Sequence, residues 1–175
     1  TTPITSLPAQ AWRTLELIEA DGTPTRRGIL FSFFQHGEGL AIAAALEDPE
    51  YPVAELLFDL ANLRGGPRFS EEDAFDLGRL AACCQKAFRN ADFEGYLRFG
   101  IPTDYAAGAS EAIRNVVLHG LGKRQLLTPT LRLGDIERAL LEWKSLLRHI
   151  SHAPSYPWER WHSLQQAAAR QLESD

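Results

Sequence analysis

Residues 135–150 read DIERALLEWKSLLRHI. Ile136, Ala139, Leu140, Trp143, Leu146, Leu147 and Ile150 recur at steps of three and four, which places them on one face of an α-helix. Asp135 caps its start. Downstream, Ala153-Pro154-Ser155-Tyr156-Pro157 breaks the pattern before a last helix that uses Trp158, Trp161, Leu164, Ala168 and Leu172. Upstream, residues 120–134 read as a loop, with 126–133 open to an extended form. A helix from Ser110 to His119 carries Ile113, Val116 and Val117.

The same period runs back to the N-terminus. Residues 91–109 are irregular, with Gly100, Pro102 and Gly108. Ser70 with Asp73 resembles a capping box. It opens a long helix to Arg89 or Asn90 whose buried face is Leu77, Leu80, Ala81, Cys84 and Phe88. Pro52 suits a helix start. Val53, Leu56, Leu57, Leu60 and Leu63 follow as a stripe, ended by Gly65-Gly66-Pro67. Residues 39–46, GLAIAAAL, are apolar on all sides and predict a buried helix. Thr25 caps a helix from Arg26 that aligns Leu30, Phe33, Phe34 and Gly37. Ala9 to Ala20 forms a helix with Ala11, Trp12, Leu15 and Ile18 on one face, and Asp21-Gly22 is a turn signal. Strand alternation never extends beyond a few residues. The expected fold is all-α, a multi-helix bundle with one short winged-helix-like hairpin near Asp21-Gly22.

Composition narrows the function classes. The 175 residues are 45% hydrophobic and 23% charged, which is ordinary globular composition. No run is long and apolar enough to span a membrane, and Thr1 to Gln10 does not read as a signal peptide. The chain contains no methionine, which suits an excised or processed piece. Cys83 and Cys84 are adjacent and point apart on a helix, so they read as free thiols in a reducing, cytoplasmic compartment. The net charge of -5 argues against strong autonomous binding to DNA or RNA, because phosphate neutralisation supplies much of that affinity.

Catalytic and metal motifs are missing or incomplete. Gly120-Leu121-Gly122-Lys123-Arg124 has neither the spacing nor the Ser or Thr of a phosphate loop. His36-Gly37-Glu38 sits at a helix junction without further ligands and reads as a cap or loop. His149 and His152 suit the C-terminal end of a helix dipole. Glu159-x-x-His162 is half of a di-iron pattern, and no second Glu-x-x-His pair exists. Cys84 belongs to a buried stripe, and no G-x-S-x-G elbow supports serine catalysis. The four tryptophans read mainly as core.

Several cations stand out. Arg26 and Arg27 occupy a helix start, where the dipole disfavours positive charge, so they imply a bound anion or a local carboxylate. Arg64 and Arg68 flank Gly65-Gly66-Pro67. Arg79, Lys86 and Arg89 run along one side of the long helix, and Lys144 and Arg148 along one side of the helix that Asp135 opens. Each set is either a solvated face or a phosphate track.

Residues 18–28, IEADGTPTRRG, resemble the close of a winged-helix module: a short wing, then Thr-x-x-Gly leading into the next helix. Residues 28–48, GILFSFFQHGEGLAIAAALED, and 55–69, ELLFDLANLRGGPRF, resemble the helical domain of bacterial DEAD/DEAH-box helicases of superfamily 2, the superkiller-type DExH group. Gly134-Asp135-Ile136-Glu137-Arg138 resembles the C-terminal helical region of that group.

The resemblance implies a C-terminal accessory region, with residues 1–27 ending a winged-helix-like module and 28–175 forming a helical domain. Such a region guides single-stranded DNA or RNA and buttresses the RecA-like motor domains of its parent chain. ATP and Mg belong to that motor, and this segment needs no cofactor or metal of its own. The strand contacts implied are Arg26, Arg27, Arg64, Arg68, Arg79, Lys86 and Arg89, with 70–89 as the helix that ratchets against the bases. The competing expectation is a helical protein-interaction module without a nucleic-acid role, which suits the acidic charge.

Overall fold

The computed structural model describes residues 7–69 and 76–174. In chain order the α-helices are α1 (Leu7–Thr14), α2 (Arg26–Ser32), α3 (Glu38–Glu47), α4 (Val53–Asp59), α5 (Arg79–Phe88), α6 (Gly108–Val117), α7 (Leu133–His152) and α8 (Glu159–Glu173). Between α5 and α6 lie two short antiparallel strands, β1 (Leu97–Arg98) and β2 (Ile101–Pro102). The fold is all-α, as expected. The described residues of Thr1–Asp48 and Ala81–Thr103 form one compact unit, and those of Pro49–Leu80 and Asp104–Asp175 a second.

In the first unit α1 stops at Thr14, well before the expected Ala20. Glu16 turns the chain with a φ of 60°, so the helical register is lost. Leu15 and Leu17 are buried, whereas Trp12 is 41% exposed and is not core. Ile18 then bridges Pro24 in antiparallel fashion across the Asp21-Gly22 turn. Asp21 Oδ1 accepts hydrogen bonds from the Thr23 N–H at 3.0 Å and the Thr23 hydroxyl at 2.6 Å. These bonds hold the Asp21 carboxyl below its usual pKa.

Thr25 caps α2. Its Oγ1 accepts from Gly28 N–H at 3.0 Å and donates to Glu16 O at 2.6 Å. A Cβ at Gly28 would lie 1.9 Å from Leu17 O, so this helix meets the preceding segment too closely for any side chain. Residues Gly39 to Leu46 of α3 are all buried, which explains their apolar character on every side.

Helix α5 differs from the expected long helix. The Ser70–Asp73 pair lies outside the described residues. Asp76 Oδ1 accepts from Gly78 N–H at 2.9 Å, and Gly78 has a φ of 90°. This turn satisfies the backbone locally and leaves residues 76–78 outside the helix, which starts at Arg79. At the other end Arg89 and Asn90 are both left-handed, with φ of 51° and 56°. Arg89 is therefore off the helix, not in line with Arg79 and Lys86. The segment after it, expected to be irregular, carries the β1–β2 hairpin.

In the second unit the stripe from Val53 is continuous, but the helix tightens into a 3-10 turn over Leu60–Arg64. Leu56, Leu57, Leu60 and Leu63 are buried. All seven apolar residues read on the face of α7 are buried. Trp143 donates its indole N–H to Leu57 O at 2.9 Å and stacks on Phe58 at 5.3 Å. Helix α7 starts at Leu133, and Asp135 caps from inside the first turn by accepting Arg132 N–H at 2.9 Å. Helix α8 buries Trp161, Leu164 and Ala168. Gln165 donates to Ile150 O at 3.0 Å and Ala153 O at 2.9 Å, adding to the Ala153 N–H bond on Ile150 O where α7 ends.

Candidate functional site

The seven cations implied as strand contacts divide between the units. Arg26, Arg27, Lys86 and Arg89 belong to the first, and Arg64, Arg68 and Arg79 to the second. Arg27 has an intramolecular role. Its Nε and Nη2 donate to Glu47 Oε2 at 2.9 Å and Oε1 at 2.6 Å, and Nη1 donates to Leu15 O at 2.6 Å. Glu16 adds a longer contact of 3.4 Å, and the guanidinium lies 5.1 Å from the centre of the Phe88 ring. The side chain is only 11% exposed. Burial alone would lower the Arg27 pKa, but the Glu47 hydrogen bond and charge, with Glu16, outweigh it and raise it. The carboxylate anticipated for a cation at this helix start is thus mainly Glu47, on α3.

Arg64 approaches Glu142 at 3.6 Å and Arg79 approaches Glu55 at 3.4 Å. Arg79 also lies 4.6 Å from the centre of the Tyr51 ring. Arg26, Arg68, Lys86 and Arg89 are exposed. A shallow hollow of about 480 Å³ beside the Asp21-Gly22 turn joins Arg26 and Arg27 to Glu16, Glu19 and Glu47, so its charge is mixed.

The densest polar cluster was not anticipated. The buried polar residues Asp59, Asn62 and Ser110 all line a cleft of about 400 Å³ in the second unit. Asp59 accepts from the Tyr51 hydroxyl on one oxygen and from Arg114 Nη2, at 2.5 Å, on the other. Arg114 also donates to Glu55 O at 3.2 Å. Asn62 accepts from Ser110 N–H at 2.7 Å and donates to the Tyr105 hydroxyl at 3.2 Å, which in turn donates to Leu77 O at 2.5 Å. With both Asp59 oxygens engaged, this cluster is a brace that ties α4 to α6. Chemically it offers a satisfied ion pair, not a poised base. Asp59 and Arg114 are 55 residues apart, a separation no local spacing rule connects.

The chain matches no family model, no curated protein and no solved structure. Among the described residues no group of three His, Cys, Asp or Glu side chains could hold a metal ion. No helix among them is long and apolar enough to cross a membrane. Cys84 is buried, and burial pushes its thiol pKa up, with the neighbouring Cys83 adding to the shift. Cys83 is half-buried and points its sulfur toward Asp48 at 3.8 Å.

Proposed function

We propose that this chain is a C-terminal accessory region of a superkiller-type DExH helicase of superfamily 2, working in the cytoplasm. Its task is to guide single-stranded DNA or RNA and to buttress the RecA-like motor, which supplies ATP and Mg chemistry. The observation that supports this reading best is the order of elements: a short turn-back at Asp21-Gly22, a Thr25-capped helix, then a body that is helical apart from the small β1–β2 hairpin. That order is the one the sequence resemblance implies. With Arg27 tied to Glu47, the strand contacts reduce chiefly to the exposed Arg26, Arg68, Lys86 and Arg89. So small a set of cations, in an acidic chain, keeps autonomous binding weak, with a salt dependence set by the few phosphates neutralised.

The test is the salt dependence of strand binding in wild type and in the K86E/R89E variant. For every phosphate that the variant no longer neutralises, the slope of log affinity against log salt should fall by roughly one. An unchanged slope would remove these residues from the interface.

One observation favours the second reading, a protein-interaction module. Leu118, Leu121, Leu127 and Leu141 are exposed in the second unit, Leu141 at 66%. Apolar side chains of this size facing solvent suit a protein partner better than a phosphate backbone.

A further inference from the structure

The hairpin between β1 and β2 has the register Leu97 opposite Pro102 and Arg98 opposite Ile101, which leaves Phe99 and Gly100 as a two-residue turn. Their φ values are 53° and 79°. Positive φ at both positions defines a type I′ turn, whose first position favours Asn, Asp or Gly. Phe is a poor choice there, because a bulky side chain disfavours the left-handed conformation. The turn is nevertheless firmly held. Asp92 Oδ1 accepts Phe99 N–H at 2.8 Å, and Gly100 N–H donates to Ala91 O at 2.8 Å.

Burial does not explain the Phe either, since Phe99 is 58% exposed. The Arg98 guanidinium lies 5.8 Å from the centre of its ring. The turn leans on the end of α5: a Cβ at Gly100 would stand 3.2 Å from the Cα atoms of Gln85 and Asn90. Exposed Lys86 and Arg89 belong to that same end. Residues 85–100 carry Lys86, Arg89 and Arg98 against Asp92 and Glu94, a local positive excess in an acidic chain. An exposed π-face held in a strained conformation, with Arg98 5.8 Å from its centre and Lys86 and Arg89 on the helix end that the turn leans on, matches one ligand class well. Unpaired bases stack on aromatic rings, and their phosphates pair with cations. A paired duplex offers no free base face.

We propose that Phe99, flanked by Arg98, is a stacking platform for an unpaired base of single-stranded DNA or RNA, with Lys86 and Arg89 meeting the adjoining phosphates. This rests on the strand-guiding reading and names the place where the strand is held. The experiment compares wild type, F99N, F99W and K86E/R89E by fluorescence anisotropy with fluorescein-labelled single-stranded oligonucleotides at low salt, alongside thermal unfolding. F99N should bind about tenfold more weakly, the loss of one stacked base. Its thermal midpoint should hold or rise, because Asn suits the turn. F99W should bind like wild type. If F99N binds like wild type while K86E/R89E weakens binding, the platform is overturned and the strand-guiding reading stands. If F99N loses affinity only in step with its thermal midpoint, Phe99 is structural and the platform is again overturned. If wild type binds no strand, the platform and the strand-guiding reading both fall.

Discussion

Arg27 grips both carboxylate oxygens of Glu47, at 2.9 Å and 2.6 Å, from twenty residues away in sequence. The fork joins the start of α2 to the end of α3 and draws in Leu15 O from the preceding segment. R27A leaves Glu47 and Leu15 O without their donor in a largely buried site. It should cost about 3 kcal/mol of stability, as for breaking a buried pair. R27K keeps the charge but loses the bidentate geometry, so it should fall between wild type and R27A in denaturant unfolding.

The Asp59–Arg114 pair makes a parallel prediction for the second unit. D59A removes the acceptor shared by the Tyr51 hydroxyl and Arg114, and should cost about 3 kcal/mol. Because the two residues share one network, D59A/R114A should cost less than the sum of the single changes. A double-mutant cycle by urea denaturation measures the coupling. Additive losses would mean that the pair is no brace.

The two thiols should react unequally. Cys84 is buried with its pKa pushed up, and only the thiolate is nucleophilic. Under native conditions a thiol reagent should label Cys83 first and Cys84 only at the rate of unfolding. Mass spectrometry of digested, labelled protein reads this directly.

Asp21 titrates in a way that tests the N-terminal turn. Thr23 holds its carboxyl below the ordinary pKa in the folded chain. The turn's stabilisation is therefore present above the unfolded pKa and is lost as pH falls through the lower folded value. NMR titration should find Asp21 below a free aspartate, and T23A should bring it back up.

Much of the fold is legible in the sequence where one period runs without interruption. The seven apolar residues of α7 and the all-round apolar α3 are of this kind. Legibility fails where a local hydrogen bond overrides the period. The Asp76–Gly78 turn shortens α5, and the left-handed Glu16 ends the register that would have buried Trp12. The β1–β2 hairpin escapes notice because Phe99 occupies a turn position that normally signals itself with Asn or Gly. Partners distant in sequence are also silent. The charges of Arg26 and Arg27 at a helix start raised the question of a carboxylate, but only packing of α2 on α3 supplies Glu47. The same holds for Asp59 and Arg114.

The most direct test of strand guiding is a fluorescence-anisotropy titration of the wild-type chain with labelled single-stranded DNA and RNA, at low and at physiological salt. A strand guide of this charge should bind weakly at low salt and lose affinity as salt is raised, with a slope set by the number of phosphates it neutralises. Absence of binding at low salt, or an affinity indifferent to salt, would contradict that role.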